Sequence, residues 1–469
     1  MKINTIDIEA TIQKARDAID KDEQLSASTK SIIEILILLI TLLTGRLNLN
    51  SKNSSKPPSS DPNRKKEPGQ KTGKSPGGQK GHVGKTLAKV DDPDFVEHIK
   101  IDRSQLPPGK YRDAGYESRQ VFDIDITRVV TEYRAQILAD ENDNHFVAPF
   151  PEGVGRAVQY GRGFKAHAVY MSQFQLIPYN RIQDYFADQI HVPVSEGSIF
   201  NFNQEAYCLL ADFEDRAKLE LANSEIAHAD ETGINKNGDR WWLHCLSNPE
   251  WTLFYPHEKR GKEAMDAMGV LPVFKGTLCH DHWKPYYTYG CIHALCNAHH
   301  LRELTFAWEQ EGQQWAGKMK DLLETINNDV IAKGGVLEPG ESRKYRQKYK
   351  NVIEKAEIEC PEPEKPPNKK RGRIKKSKSR NLLERLRDYE DDVLRFMENK
   401  HVPFTNNLGE NDIRMTKVQQ KISGCFRSME GAQLFCRIRS YLSTCRKHGV
   451  KPSHALNLLF EGKRPEFLR

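Results

Sequence analysis

Residues 226–255 read IAHADETGINKNGDRWWLHCLSNPEWTLFY, and this stretch decides the fold of the chain. Residues 226–229 are typical of a short strand that ends at Asp230. The Asn-Gly dipeptide at 237–238 is a strong β-hairpin signal, and Asn-Pro at 248–249 marks a second turn. The stretch therefore predicts a three-stranded meander with an acidic residue at the end of its first strand.

Helix and strand alternate after the meander. Residues 261–268 favour a helix, residues 276–280 favour a fourth strand that ends at Asp281, and residues 291–295 favour a fifth strand that leads into another helix. Three strands, a helix, and then alternating strand and helix are the layout of a ribonuclease-H-like α/β domain. In such a sheet the ends of the first and fourth strands are adjacent, which places Asp230 beside Asp281.

A long helical segment separates these two acids from a third. Between residues 301 and 400 the apolar residues keep helical spacing and the strand pattern does not resume, which predicts a helical insertion into the α/β domain. The chain then enters a last helical region at residues 406–407, with Glu410 in the first turn. A late helix of this kind can bring a third carboxylate across Asp230 and Asp281.

The three acids suit a centre of two metal ions. Converging carboxylates repel one another without cations, which raises the pKa of at least one of them. Mg²⁺ removes this penalty because it prefers oxygen ligands, and two such ions about 3.5–4 Å apart can activate an attacking oxygen and stabilise a leaving oxygen of a phosphodiester. Asp230, Asp281 and Glu410 are therefore candidate catalytic residues and metal ligands, with two Mg²⁺ ions expected and Mn²⁺ as a substitute.

Each acid also has an ordinary structural interpretation. Asp230 and Asp281 fit turn residues that make Asx-type hydrogen bonds. Glu410 fits a capping box with Asn407, or an ion pair with Arg414 four residues further on. The residues by themselves leave these alternatives open.

The positive charge of the chain is concentrated in two segments. The formal net charge is +7, and residues 51–85 alone hold nine basic and two acidic residues, a difference of +7. This segment is rich in Ser, Pro and Gly, which favours a flexible arm, and residues 365–380 are basic and flanked by proline in the same way. Solvated linkers have this composition too, but two such blocks favour a polyanionic partner, because Lys and Arg release counterions from phosphates.

A third basic group follows Glu410 on its own helix at intervals of four, three and four residues. It forms either a solvated face or a stripe that positions phosphates. The candidate DNA-binding residues of the arm, the second block and the stripe are Lys65, Lys66, Lys71, Lys74, Lys80, Lys369, Lys370, Arg371, Arg373, Arg414, Lys417 and Lys421.

The N-terminal region is predicted to be mostly helical from residue 6 to residue 47. Part of it has a heptad seam, which favours a short coiled coil and a homo-oligomer, with a dimer expected. An amphipathic helix packed on its own protein is the alternative. The seam consists of Ile33, Ile37, Ile40, Thr44 and Leu47.

The composition argues against several classes of protein. Residues 1–24 contain no apolar stretch with a cleavage site, which argues against a secretory signal. The longest apolar run, residues 32–43, is shorter than the roughly 20 residues that span a bilayer, so no membrane partner is expected. Nine cysteines without a C-x-x-C pair favour a reducing compartment. The expected location is the cytoplasm, in association with the nucleoid.

Two further modules precede the meander. Residues 95–160 contain short β-type runs separated by Pro and Gly, which predict a small β-rich module. Residues 161–222 return to helix, and Ser195 is placed as the N-cap of the second helix of a helix-turn-helix layout. Docking of that helix in a DNA major groove and ordinary helical packing are both open.

These features divide the chain into eight segments. They are an N-terminal helix (1–50), a basic arm (51–94), a β-rich module (95–160), a helix-turn-helix-like unit (161–222), the first part of the catalytic domain (223–300), a helical insertion with a basic loop (301–400), the last part of the catalytic domain with Glu410 (401–430) and a C-terminal helical region (431–469).

Four motifs resemble those of a known family. A-D-E-T-G (229–233), H-D-H-W-K-P-Y (280–286), H-A-L-C-N-A-H-H-L-R (293–302) and T-N-N-L-G-E-N-D-I-R (405–414) resemble the DDE transposases of insertion-sequence family sixty-six. The resemblance runs in order over most of the chain.

The resemblance implies a function for the three acids. Asp230, Asp281 and Glu410 would be the catalytic triad of DNA strand cleavage and strand transfer at the ends of a mobile element. The implied partners are double-stranded DNA, as terminal inverted repeats and as target, and accessory proteins of the same element.

The family pattern also includes a Cys-x-x-His element, here Cys296 and His299. Their spacing relative to other ligand-type residues fits no standard tetrahedral zinc site, so a packing role or a DNA contact is expected. Family members commonly bear paired cysteines just after the basic arm, whereas the first cysteine here is Cys208. No zinc is therefore expected, and residues 106–125 are expected to fold without metal. The remaining motif residues are Arg302, Asn406 and Asn407.

Two other classes of protein compete with an active transposase. One is a catalytically inactive, domesticated DNA-binding protein that uses the arm and the helix-turn-helix. The other is a self-associating scaffold built on the N-terminal helix.

Overall fold

The structure of the protein is a computed structural model. Its internal contacts divide the chain into two units, residues 65–131 and residues 1–64 together with 132–469. The residues that the structure describes are 2–3, 6–22, 24–47, 49–50, 52–54, 87–364 and 374–469.

The smaller unit, described from residue 87 to residue 131, contains no strand in that range. Local contacts hold it, such as the side-chain amide of Gln120, which bonds the backbone N–H and C=O of Val90 at 2.8 and 2.7 Å. Ile99 and Val121 are 95% and 91% exposed. The alternating pattern has no apolar layer to pack against, so the prediction of strands in this part of the β-rich module was wrong.

The strands of the described residues lie in three sheets. One hairpin, β3 with β4, is the β-structure that the larger unit contributes to the range 95–160. The strands are β1 (Lys2–Ile3), β2 (Ile6–Asp7), β3 (Ile137–Ala139), β4 (His145–Val147), β5 (Ile226–Lys236), β6 (Asp239–Ser247), β7 (Thr252–His257), β8 (Thr277–His280) and β9 (Ile292–Leu295).

Helices make up most of the larger unit. Both α3 and α4 continue as a turn of π-helix, at Tyr170–Phe174 and Phe186–Ile190. The α-helices of the described residues are α1 (Ile8–Lys21), α2 (Ala27–Leu47), α3 (Arg162–Val169), α4 (Tyr179–Tyr185), α5 (Glu196–Leu209), α6 (Ala211–Ala222), α7 (Lys262–Met268), α8 (Asn297–Glu311), α9 (Gln314–Ala332), α10 (Pro339–Glu359), α11 (Lys378–Asp388), α12 (Glu390–Leu394), α13 (Asn407–Ser423), α14 (Met429–Lys447) and α15 (Pro452–Phe460).

The central sheet has five strands in the order β7-β6-β5-β8-β9. Strands β5, β6 and β7 form the expected antiparallel meander, and β8 and β9 run parallel to β5. The sheet is mixed and helices cover it, so the prediction of an α/β protein is confirmed.

The first strand of the meander is longer than the sequence indicated. Asn237 and Gly238 have φ of 50° and 98°, the two left-handed residues of a type I′ turn, and the strands on both sides continue up to it. Asp230 therefore lies within β5, opposite Cys245, rather than after the strand. Because β8 pairs with β5 only over residues 226–228, Asp230 still lies just beyond the part of β5 that pairs with β8.

Two hydrophobic clusters pack against opposite faces of the sheet, and a third fills the insertion. One cluster joins the sheet to α3–α7, α14 and α15, and another joins β5–β7 to α13 and α14. The third is built by α8–α12 around the fully buried Trp315 and Tyr349. This cluster also includes residues of β5, β8 and β9, so the core of the helical segment is continuous with the sheet; these residues are Ile226, Cys279, Ala294 and Leu295.

The helix-turn-helix layout is present in α4, the following turn and α5. The Ser195 hydroxyl accepts a hydrogen bond from the backbone N–H of Ser198 at 3.1 Å, so the predicted N-cap is confirmed. Helix α5 contains Glu196 and Glu205 but no Lys or Arg. DNA docking by this unit stays a prediction, and the charge of α5 itself disfavours contact with phosphates.

Helix α2 buries only part of its heptad seam. Ile37 and Thr44 are buried, whereas Ile40 and Leu47 are 46% and 57% exposed. With 21 residues and a mean hydropathy of 1.8 over its most apolar window, α2 is long and apolar enough to cross a membrane by length and composition. The prediction that this segment is too short rested only on the uninterrupted apolar run and was wrong on that point.

Candidate active site

Asp230, Asp281 and Glu410 lie near one another beside the central strand β5 and its neighbour β8. Asp230 lies within β5, Asp281 follows β8 directly, and Glu410 lies in the first turn of α13. Burial raises the pKa of Asp230 to about 8, and the charges of Glu231, Asp281 and Glu410 add to this effect. Asp281 and Glu410 therefore lie close enough to Asp230 for their charges to act on it, as in converging carboxylates.

Asn406 fixes the position of the helix that carries Glu410. Its backbone N–H donates to the Sγ of Cys296 at 3.1 Å, and its side-chain N–H donates to the carbonyl oxygen of Ala229 at 2.8 Å. Its Oδ1 lies 2.7 Å from Nδ1 of His228, whose pKa is lowered by burial, so the neutral ring donates to the amide oxygen. One buried amide thus joins β5, the start of α8 and the start of α13.

Gly409 is buried where α13 packs on β5, and an added Cβ there would make only ordinary van der Waals contacts. A Cβ at this position would lie 3.4 Å from the side chain of Asn406 and 3.5 Å from the Cβ of His228. The close packing of α13 on β5 therefore does not depend on a glycine at this position.

Glu410 contacts the Cys-x-x-His element rather than a capping partner. Its Oε1 lies 3.9 Å from the Sγ of Cys296 and 3.9 Å from Nδ1 of His299. Asn406, not Asn407, is the N-cap of α13, and it makes no side-chain cap bond, so the capping-box interpretation was wrong. The element lies beside the acid and packs against it.

Cys296, His299 and Glu410 have donor atoms within 4.8 Å of one another and could hold a metal ion. Burial raises the pKa of the Cys296 thiol to about 11, and burial, with the charge of Arg302, lowers the pKa of His299. The neutral thiol of Cys296 can donate weakly to the carboxylate of Glu410 and so helps to hold this side chain in position. That the element binds no zinc stays a prediction.

Asp281 begins a sharp turn directly after β8. The backbone N–H of Trp283 donates to its Oδ1 at 2.9 Å, and His282 between them adopts φ of 70°. The Asx-type bond that the sequence offered as an alternative is therefore present. It fixes the orientation of the Asp281 carboxylate through its Oδ1.

Glu231 is a functional candidate that the sequence reasoning missed. Only 2% of its side chain is exposed, and it bonds Nε of Arg260 at 3.0 Å and the hydroxyl of Tyr286 at 2.6 Å. Burial, with the charge of Asp281, raises its pKa. The acidic pair D-E in A-D-E-T-G was the available signal for a second acid at this position. The neighbouring sequence does not show that Glu231 is paired with the distant Arg260.

Only some of the predicted DNA-binding residues lie in the part of the chain that the structure describes. Arg414 and Lys421 are exposed on α13, and Lys417 donates to the carbonyl oxygen of Gly233 at 2.6 Å. Asn407 is exposed and Arg302 half-buried. The predicted DNA-binding residues that lie outside the described residues are Lys65, Lys66, Lys71, Lys74, Lys80, Lys369, Lys370, Arg371 and Arg373.

The end of the second basic block is part of the folded protein. Arg380, which is 3% exposed, bonds Glu384 at 2.9 Å through Nε and also pairs with Glu357. Lys376 and Arg380 thus neutralise acids of the insertion, and the interpretation of this part as a linker was wrong.

The fold and the site define an α/β protein in which Asp230, Asp281 and Glu410 lie near one another beside the central sheet. The sequence profile of the Transposase IS66 family matches residues 157–434, and the chain belongs to this family. The assignment that the motifs predicted is confirmed. Residues 3–88 match a family of unknown function, DUF6444.

One curated relative is similar over a short region. The chain is 33% identical over 75 residues to the uncharacterized protein y4jO of Sinorhizobium fredii, which is 16% of this chain and 23% of that protein. The chain thus spans less than a quarter of the length of this relative.

Proposed function

We propose that the protein is a transposase that cleaves DNA strands at the ends of its mobile element and joins them to target DNA. The observation that carries the proposal is the convergence of Asp230, Asp281 and Glu410 from three separate elements. Membership in the Transposase IS66 family supports the transposase role.

The sheet order supports a ribonuclease-H-like catalytic domain. Three antiparallel strands followed by two parallel ones, with helices between them, agree with that architecture. The first acid lies on the central strand and the second lies at the end of its parallel neighbour. The helices α9–α12 form the insertion that precedes the Glu410 helix.

The donor set fits two Mg²⁺ ions, with Mn²⁺ as a substitute. A cluster whose Asp230 has a pKa of about 8 is unfavourable when all its acids are ionised, and divalent cations remove that penalty. Carboxylate oxygens are the ligands that Mg²⁺ prefers. The bound ions would activate the attacking oxygen and stabilise the leaving oxygen of the phosphodiester.

The surrounding residues supply positioning and charge. Asn406 holds the Glu410 helix against β5, and Cys296 lies against the carboxylate of Glu410. Arg260 neutralises Glu231, so this fourth acid does not compete for the cations. Arg414 and Lys421 offer exposed charges for phosphates next to the acids.

The partners in this proposal are terminal inverted repeats and target DNA, a second copy of the chain through the N-terminal helix, and accessory proteins of the element. The basic segments around residues 65–80 and 369–373 would bind the DNA backbone. A domesticated DNA-binding protein that has lost catalysis is the rival, and the retention of all three acids argues against it.

The test is cleavage of a supercoiled plasmid that carries the element's ends. Wild-type protein should nick it only with Mg²⁺ or Mn²⁺, and Asp281→Asn and Glu410→Gln should each abolish nicking while retaining DNA binding. The matched control is Glu263→Gln, an exposed acid of the same domain, which should cleave normally. Undiminished cleavage by both site variants would overturn the proposal.

A further inference from the structure

Two arginines and two tryptophans stack next to the acid cluster. The guanidinium of Arg240 lies 4.7 Å and that of Arg260 lies 4.8 Å from the ring centroid of Trp242. The guanidinium of Arg260 also lies 4.4 Å from the ring of Trp283. We call these four side chains, Arg240, Trp242, Arg260 and Trp283, the Arg–Trp ladder.

The ladder is connected to one of the three acids, Asp281, and to Glu231, which follows another in the chain. Arg260 is paired with Glu231, the residue after Asp230, and the backbone of Trp283 donates to the carboxylate of Asp281. The stacked groups therefore lie beside Asp281, on one side of the place where a scissile phosphate would lie.

The outer end of the ladder holds an unneutralised charge. Arg240 is exposed, and its guanidinium lies over Gly233, where an added Cβ would approach its Nε to 3.2 Å. Lys417 lies near enough that the charge of Arg240, together with burial, lowers the pKa of the lysine. Arg240 stacks on an indole and Lys417 donates to a carbonyl oxygen, so within the described part of the chain no carboxylate offsets this pair. An anion bound between Arg240 and Lys417 would offset the repulsion between these two positive charges.

We propose that the Arg–Trp ladder binds unpaired nucleotides of the DNA strand beside the scissile phosphate. This inference rests on the proposed function and adds to it the conformation of the bound DNA. Unpaired bases stack on aromatic rings and on guanidinium planes, and both kinds of surface end this ladder. Arg240 and Lys417 then contact the phosphates that connect those bases.

A fully paired duplex would not use the ladder in the same way. Its bases are stacked on one another, so only phosphates and groove edges are available to the protein. Stacking on the protein adds affinity only when a base leaves the double helix. All four bases can contribute in this way, because each has a flat ring face. The ladder therefore favours DNA that is opened at the cleavage site.

The experiment compares two fluorescent DNA ligands of the same sequence, measured with the full-length protein in Ca²⁺. One is a duplex, and the other has about six unpaired nucleotides on one strand, a length within the site size of single-strand grooves. The wild-type protein should bind the forked DNA roughly 5- to 150-fold more tightly, as expected for one stacked base at about 1–3 kcal/mol. Arg240→Gln and Trp283→Leu should lose most of that preference, and Trp283→Phe should retain it.

The control is Lys236→Gln, which removes a cation that stacks on Trp241 of the same hairpin. It should weaken binding of both ligands equally, so the preference stays. A wild-type protein that binds both ligands equally, or a preference that survives in both Arg240→Gln and Trp283→Leu, would overturn the inference while leaving duplex cleavage intact. Failure to bind or cleave the duplex at all would instead overturn the proposed function.

Discussion

Metal binding at the acid cluster should release a proton near neutral pH. The pKa of Asp230 is raised to about 8, so at pH 7 about nine-tenths of the metal-free protein holds this proton. A cation needs the ionised carboxylate, and its binding should therefore release about one proton at pH 7 and far less at pH 9. Calorimetric titration of Mg²⁺ or Mn²⁺ in two buffers of different ionisation enthalpy measures that number.

The raised pKa also makes Asp230 a destabilising residue in the absence of metal. Its folded pKa lies above the unfolded value of 3.8, so the folded state holds an extra proton between about pH 4 and pH 8, and stability falls as the pH rises through that window. The loss is on the order of 5 kcal/mol by pH 8, since a tenfold change in proton affinity corresponds to about 1.4 kcal/mol. Asp230→Asn keeps the shape of the side chain and removes this loss.

Thermal unfolding in EDTA checks the sign of the effect. At pH 8 Asp230→Asn should unfold at a higher temperature than wild type, and at pH 4 the two should be similar. Added Mg²⁺ should stabilise the wild type and leave the variant nearly unchanged. Glu263→Gln is the control and should follow the wild type. Metal binding without proton release at pH 7, together with no gain for Asp230→Asn at pH 8, would refute the reasoning.

Two further predictions concern the residues that hold the sheet and the site together. Asn406→Ala removes the bonds to Ala229 and His228, so the free energy of unfolding in urea should fall by about 2–4 kcal/mol and plasmid nicking should be lost; normal nicking would show that Asn406 does not position Glu410. Gly276→Ala would press a Cβ against the carbonyl oxygens of Ser224 and Glu225 and should cost about 3 kcal/mol or more in the same measurement, whereas Gly290→Ala, which meets nothing, should cost less than about 1 kcal/mol.

Local signals explain what the sequence could predict. The Asn-Gly pair at 237–238 dictates a hairpin because both residues tolerate positive φ, and Ser195 caps a helix because its hydroxyl reaches the N–H of Ser198. The end of β8 before Asp281 and the helix that carries Glu410 are also set by local pattern. These features depend on neighbours in the chain.

The features that the sequence could not predict depend on contacts between distant segments of the chain. The bond from Asn406 to Ala229 and the pair of Glu231 with Arg260 join separate elements, and no spacing in the chain encodes them. The residues of β5 after Asp230 are mostly polar, so the sequence did not indicate that the strand continues there. The length of β5 is decided by its pairing with β6. In the smaller unit the alternation at Ile99 and Val121 was present, but an alternating pattern forms a strand only when another layer covers its apolar face.

The central claim is that three acids from distant parts of the chain meet at one metal centre. Iron-directed cleavage tests it most directly: Fe²⁺ replaces Mg²⁺ in the full-length protein, peroxide and ascorbate generate hydroxyl radicals at the metal, and the protein fragments are mapped. Cuts near residues 230, 281 and 410 together, suppressed by excess Mg²⁺ and by Asp230→Asn, are the predicted result. Cuts that leave out any one of these three segments, or that persist unchanged in Asp230→Asn, would contradict the account.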